Sequence, residues 1–213
     1  MTNLKALFQR TLSVKYVHTE QEKGSYYAEK VKNSKGGYTL NIFFQGSNGD
    51  TDWKNNFDFP AKPYRDMSNM WFAHRGFLKV WKEIEPVLKP LIMDEEITHI
   101  IISGYSHGAA LALLCHEYCK FNRASIEIEG YGFGSPRVVW GVLQNNVKQR
   151  FEGFTVIRNG CDIVTYVPPL WLGYRQVGEL LEIGQDKGYK AVESHYSSNI
   201  LKELEALKGG KQE

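Results

Sequence analysis

From residue 97 onward the chain switches between two kinds of apolar run. ITHIIIS (97–103) is short and β-branched, whereas HGAALALLCHEYCKF (107–121) is alanine- and leucine-rich and apolar nearly all round. The first pattern predicts a strand buried on both faces, the second a helix buried on all sides. The alternation continues with SIEIEGYGF (125–133) as a strand, RVVWGVLQNNVKQRF (137–151) as a helix and FTVIRNG (154–160) as a strand ending in a turn. YRQVGELLEI (174–183) reads as a late strand and SHYSSNILKELEALK (194–208) as a terminal helix.

Upstream, SYYAEKVK (25–32) and YTLNIFF (38–44) flank NSKGG, whose residues suit the left-handed turn of a hairpin. A polar, turn-rich stretch follows (45–70), long enough for a functional loop. HRGFLKVWKEIEPVLKPLI (74–92) has helical spacing, with Pro86 and Pro90 predicting a kink or an early end. Strands alternating with helices predict an α/β fold, a mostly parallel mixed sheet with helices on both faces and an antiparallel leading hairpin. No repeat or linker divides the chain, so residues 1–213 are expected to form one domain.

Composition narrows the function classes. The chain is 42% hydrophobic and 23% charged, with a formal net charge of +2, so no strong field invites nucleic acid. No glycine-rich phosphate loop follows the first strand. Three cysteines, two of them four apart on one predicted helix (Cys115, Cys119, with Cys161 remaining), do not make a disulfide framework. Cys115, His116 and Cys119 lack a second ligand pair, so no metal is expected. The first residues lack a leader-like apolar run, and no stretch approaches 18 apolar residues. The expectation is a cytoplasmic protein without integral membrane association, leaderless export and transient lipid-surface contact being left open. Oligomeric state is not legible.

The junction of strand and helix at 100–114 reads IIISGYSHGAALALL. A Gly-x-Ser-x-Gly pattern is weak alone, but a nucleophile elbow demands this order: a strand that ends, a tight turn, and a helix that begins at once. Ser106 is the candidate nucleophile. Its hydroxyl needs a base and a group to orient that base. Of six histidines only His195 lies far enough downstream to leave room for an acid between. Asp162, in the turn-rich RNGCDIVTYVPP just past a strand end, is the candidate acid; the other intervening carboxylates fall inside predicted strands or helices. The aromatics Trp71, Phe72, Phe77 and Trp81 read as core before acyl pocket.

Taken together, GYSHGAALALL, GFGSPRV, RNGCDIVTYVPP and FFQGSNGDTDW…HRGFLKVW resemble the class 3, fungal-lipase-like branch of the α/β-hydrolases, over roughly residues 38–200. The resemblance implies an α/β-hydrolase fold with Ser106 as nucleophile, Asp162 as acid and His195 as base. It also implies an oxyanion hole: FQGS (44–47) would supply Ser47, through its backbone N–H and hydroxyl, and His107 would supply its backbone N–H. Activity, on this resemblance, is carboxylic-ester hydrolysis through an acyl-enzyme, with a small-molecule or lipid ester as substrate and no cofactor. A phospholipase or acyltransferase using the same residues, and a catalytically idle binding module, remain as alternatives. Two features depart from the family: the lid position, NGDTDWKNNFDF (48–59), is strongly polar, and Gln176 and Asn199 stand where the family often has a histidine and an aromatic. The polar segment predicts a soluble or short-chain ester and no interfacial activation.

Overall fold

The computed structural model describes residues 2–21, 24–47, 58–65, 67–186 and 190–209; most of the polar 48–59 segment therefore lies outside the described residues. Strands β1 (Val17–His18), β2 (Ser25–Lys32), β3 (Tyr38–Phe44), β6 (Ile97–Tyr105), β7 (Glu127–Phe133), β9 (Phe154–Asn159) and β11 (Glu179–Ile183) form one sheet in the order β1-β2-β3-β6-β7-β9-β11. β1, β2 and β3 pair antiparallel, and every neighbour from β3 to β11 runs parallel. This is the mixed sheet with a leading hairpin that the alternation predicts.

Period-two alternation sorts the side chains onto two faces. Leu40, Ile42 and Phe44 of β3, with Ile100 and Ile102 of β6, join one core; Phe43, Ile101 and Tyr105 join the other. The first core is closed by α2 (Arg75–Ile92) and α3 (His107–Asn122), the second by α1 (Leu4–Ser13) and α5 (Ser197–Gly209). α1 is an element the periodicity reading did not name. Asn3 starts it by accepting from the Ala6 amide, and buried Thr11 bonds Ser103 Oγ of β6 at 2.7 Å.

Three expectations fail in instructive ways. Residues 137–151 are not one helix: Val139–Trp140 is strand β8, and only α4 (Asn145–Lys148) and a following 3₁₀ turn are helical. β8 sits in a second, antiparallel sheet of order β10-β8-β5-β4, with β4 at Ala61–Tyr64, β5 at Trp71–His74 and β10 at Tyr174–Arg175. The β-branched pair Val138–Val139 followed by Gly141 suits a short strand once neighbours exist to pair with it. The late strand likewise divides at Gly178, Tyr174–Arg175 joining the small sheet and β11 the large one. Finally, α2 continues through Pro86 and Pro90 to Ile92, because one face carrying Phe77, Val80, Trp81, Ile84, Leu88 and Ile92 is buried along its length. Packing outweighs two missing backbone hydrogen bonds there.

Candidate active site

The parallel strands end along one edge of the large sheet, and the candidate chemistry collects there. β6 ends at Tyr105 and α3 begins at His107, leaving Ser106 alone in the turn at φ 55°, ψ −121°. A non-glycine residue held there costs about 1–3 kcal/mol, so its surroundings must impose the geometry. They do so through close packing. A Cβ on Gly104 would lie 2.1 Å from the Gly108 carbonyl oxygen, and one on Gly108 would lie 2.3 Å from that of Phe44. The two glycines let strand and helix meet, and the Ser106 amide is tied to the Phe133 carbonyl at 2.9 Å.

His195 closes a 3₁₀ turn (Glu193–His195) just before α5. Its Nε2 lies 2.8 Å from Ser106 Oγ and its Nδ1 lies 2.9 Å from Asp162 Oδ2. A carboxylate can only accept, so Nδ1 carries the proton and Nε2 is the acceptor for the serine hydroxyl. Asp162 is fully buried. Its other oxygen, Oδ1, accepts from the Val164 amide at 2.9 Å, capping the short helix Ile163–Tyr166. The structure thus brings together the three residues singled out in the chain.

Four further residues shape this relay. Tyr105 stacks on the His195 ring (centroids 5.2 Å, planes 21° apart) and donates its hydroxyl to the His195 carbonyl at 2.7 Å. Burial, reinforced by the charge on Asp162, pushes the Tyr105 phenol up to about 12, so it stays a donor across the neutral range. Asn159 holds both partners: its carbonyl accepts the Asp162 amide, and its side chain donates to the Ser194 carbonyl at 2.9 Å. Gly134 (φ +59°) lies beneath them, where a Cβ would come within 2.8 Å of both Asp162 Oδ2 and the His195 ring. Arg137 donates to the carbonyls of Tyr166 and Pro168 and fixes the segment after the acid; burial first, then Arg158, holds its guanidinium below the usual value. Each sits inside or beside a quoted motif (GYS, RNGCD, GFGSPR), which is where a signal existed. Asn199, a departure from the family pattern, donates to the Glu193 carbonyl and so closes the His195 turn; Gln176 lies away from the site, in the link between β10 and β11.

Ser106 and His195 open into a cavity of about 220 Å³ lined by Ser47, Phe59, Phe77, His107, Val164 and Pro168, among others. Ser47 follows the end of β3, and His107 is the first residue of α3, its ring edge-on to Phe77. Both oxyanion candidates therefore border the space in front of the nucleophile, next to the positive end of α3. Phe77 serves as core and as pocket wall; Trp71 and Trp81 are core only, and Phe72 lies against Trp140. Phe59 is placed by its neighbours: Tyr174 donates to its carbonyl, and Arg75 and Lys79 grip Asp58 beside it. The Arg75 hydrogen bonds, opposed by burial and aided by Lys79, hold Asp58 below the usual carboxylate range.

A larger cavity, about 410 Å³ and lined by polar residues such as Asn159, Lys190 and Lys202, lies behind the His195 turn. It includes neither Ser106 nor an apolar wall, so the smaller one is the candidate site. Cys115 and Cys119 are buried in α3, and Cys161 lies beside Ser194. At the other end of the strands His99, Glu127 and Glu129 converge, held by Thr2, Tyr131 and Lys35.

Residues 41–171 match the family model for lipase (class 3). A secreted mono- and diacylglycerol lipase of Fusarium solani is 28% identical over 138 residues, 63% of this chain and 40% of that protein. A secreted mono- and diacylglycerol lipase of Malassezia restricta is 31% identical over 125 residues, 52% of this chain and 39% of the other. The chain thus spans about two fifths of the length of these curated relatives. Among solved structures, the Rhizomucor miehei lipase in complex with its propeptide superposes with a TM-score of 0.67 at 25% identity, covering 80% of this chain and 56% of the other. The fold is accordingly that of the α/β-hydrolases. The expected cytoplasmic location is corrected by the same relatives, which are named as secreted. Lack of an apolar leader and of disulfides was its whole basis, and neither feature of this stretch of chain determines where such a domain works.

Proposed function

Because this chain belongs to the class 3 lipase family, we propose that it hydrolyses carboxylic esters through a Ser106 acyl-enzyme, with a lipid ester as substrate. The observation that carries the reading is the unbroken relay from Ser106 Oγ through His195 to Asp162, opening into an apolar cavity. In the first step the serine oxygen attacks the ester carbonyl while His195 Nε2 takes its proton. Asp162, buried against the ring, holds the imidazole in the required tautomer and stabilises the imidazolium as it forms.

The tetrahedral oxyanion is assigned to Ser47 and the His107 amide at the α3 N-terminus, each such donor being worth about 2.7–4 kcal/mol of transition-state stabilisation. His195 then returns its proton to the leaving alcohol, activates a water for the second attack, and the acid departs. Every proton movement is served by this chain's own side chains. The cavity walls Phe59, Phe77, Val164 and Pro168 offer the acyl chain an apolar surface. At about 220 Å³ the space lies below the ~300–1,000 Å³ that encloses drug-sized ligands, which favours one short to medium acyl chain.

The test compares p-nitrophenyl esters of two to sixteen carbons on the parent protein and on Ser106→Ala, with fluorophosphonate labelling in parallel. Labelling confined to the parent, and turnover peaking at or below about ten carbons, are expected. Labelling that survives Ser106→Ala removes the nucleophile assignment. A Ser106-dependent peak at sixteen carbons would overturn the chain-length reading, and Ser106-dependent labelling without ester turnover would overturn hydrolysis.

A further inference from the structure

An ester has two halves, and the apolar cavity in front of Ser106 accounts for one of them. A second cavity, a crevice of about 180 Å³, shares two walls with it, Ser47 and Tyr105, and no others among the described residues. The remaining walls of the apolar cavity include α2 and the segment after Asp162, whereas those of the crevice are Thr11 and Leu12 of α1, Tyr16, and Gln45–Gly46 of the oxyanion segment. The segment 45–47 therefore stands between two spaces of different chemistry. Glycine at 46 lets it lie against Tyr105, where a Cβ would come within 3.0 Å of the ring and 3.2 Å of the carbonyl oxygen.

The chemistry of the crevice can be read group by group. The Tyr16 hydroxyl spends its proton on the Thr11 carbonyl, and the Tyr105 hydroxyl spends its own on the His195 carbonyl. Thr11 Oγ1 lies 2.9 Å from the Leu7 carbonyl and 2.7 Å from Ser103 Oγ. What these three hydroxyls have left to offer is lone pairs. Gln45 adds a side-chain oxygen that is buried without a hydrogen-bond partner among the described residues. Such a wall suits a ligand that brings O–H donors. No Asp, Glu, Lys or Arg lines the crevice among the described residues, so nothing there balances a phosphate or an ammonium. At about 180 Å³ the space is also well below that of a drug-sized ligand, which points to a small head group.

We propose that this crevice is the subsite for the alcohol half of the ester, and that it selects a small, neutral, polyhydroxylated alcohol through Tyr16 and Gln45. The proposal rests on the ester-hydrolase reading and names the substrate side that the acyl cavity leaves open. In acylation the head's spare hydroxyls donate to Tyr16 Oη and to Gln45, whose amide turns toward them, and so hold the leaving oxygen beside His195. The same subsite works in the reverse sense. A free polyol seated there attacks the acyl carbonyl, His195 takes its proton and returns it to Ser106 Oγ, and the bond from the acyl carbon to that oxygen breaks.

The experiment compares two dissolved esters of one acid, glyceryl monobutyrate and propyl butyrate, on the full chain. They differ only in two hydroxyls of the alcohol. The ratio of their kcat/KM values should favour the glyceryl ester at least about tenfold, as two added hydrogen bonds allow. Gln45→Leu removes an acceptor, and Leu12→Trp fills the crevice without touching its polar groups; each should bring the ratio to within about threefold of one. In parallel, glycerol added to p-nitrophenyl butyrate reactions should capture the acyl group at least about tenfold better, mole for mole, than 1-propanol.

A parent ratio near one, a ratio that survives both substitutions, or equal capture by glycerol and propanol would each overturn the subsite. So would equal loss of both esters in both variants, because these residues would then only hold the oxyanion segment in place. Ser106-dependent turnover with a ratio near one removes the subsite and leaves the hydrolase reading standing. No Ser106-dependent turnover of either ester sinks the hydrolase reading, and the subsite with it.

Discussion

Asp162 and Glu117 are both fully buried carboxylates with cationic or titratable partners, and they do opposite work. Glu117, inward on α3, is held by Arg65 at 2.8 Å and by Arg150 at 2.9 Å. Phe121 lies against both guanidinium groups, and Arg150 also donates to Asn69. Burial pulls the Arg65 guanidinium down, but the charge of Glu117 and its hydrogen bonds leave it raised overall. Arginine does not give up its proton near neutrality, so this network can bind helix to loop but cannot move a proton. Asp162 is paired instead with His195, whose second nitrogen faces a cavity and a serine. A buried carboxylate becomes chemistry when its partner can change protonation state and the far side of that partner reaches solvent or substrate.

Exchanging each carboxylate for its amide tests this contrast most sharply. Asp162→Asn preserves the Oδ1 cap on Val164 but turns an NH₂ toward His195, favouring the tautomer with the proton on Nε2. Turnover of a soluble ester should fall by about four orders of magnitude, roughly 5 kcal/mol of barrier, with little change in melting temperature. A loss of only a few-fold would move the acid to another residue.

Glu117→Gln should do the reverse. It leaves two buried guanidinium groups without a counter-charge, and about 3–5 kcal/mol of stability should be lost while turnover of the folded fraction persists. Denaturant unfolding with activity measured below the transition separates the two effects. Equal losses of activity and stability would break the comparison.

His116 supplies an intermediate case, a buried histidine with no route to the cavity. Burial first, with Lys120 adding, lowers its pKa to about 3, although its hydrogen bond to the Glu152 carbonyl works the other way. The unfolded chain therefore binds a proton near pH 6.5 that the folded protein refuses. Stability from this group is complete above about 6.5 and declines as pH falls toward 3, by about 1.4 kcal/mol per unit within the window. In His116→Gln the stability curve between pH 4 and 6 should be shallower by that slope. An unchanged slope would mean that the ring protonates in the folded state.

The smallest expected effect is at Tyr105, a positioning residue. Tyr105→Phe keeps the stacked ring and loses the hydrogen bond to the His195 carbonyl, about 1 kcal/mol and roughly fivefold in kcat. Tyr105→Leu removes the stacking as well, and should lower kcat further while KM for a soluble ester stays unchanged. A kcat equal to that of the parent would reduce Tyr105 to packing.

The large sheet was legible because each of its central strands is buried on both faces, which leaves a continuous apolar signature in ITHIIIS and FTVIRNG. The small sheet was not. Its strands β8 and β10 are two residues each, too short to carry a period; β8 exists because Phe72–Ala73 lies beside it to be paired, and β10 because β8 then offers its other edge. α1 had a readable start in Asn3 but no flanking strand to set it in a pattern. At the site, chain order and family motifs named Ser106, Asp162 and His195, whereas Tyr105, Asn159, Gly134 and Arg137 act through backbone carbonyls and close approach. Such roles leave no residue-type signature.

What the sequence by itself determined is local: where strands end, which helix starts at Ser106, and which side chains hold the chemistry in the order serine, acid, histidine. Periodicity and turn chemistry act over a few residues, and these features need no more. Only the tertiary structure decided which distant turns would meet. It set His195 2.8 Å from a serine 89 residues away and closed two buried carboxylates around different partners. Those distances follow from packing the helices against both faces of one sheet, a long-range constraint that no short window of sequence contains.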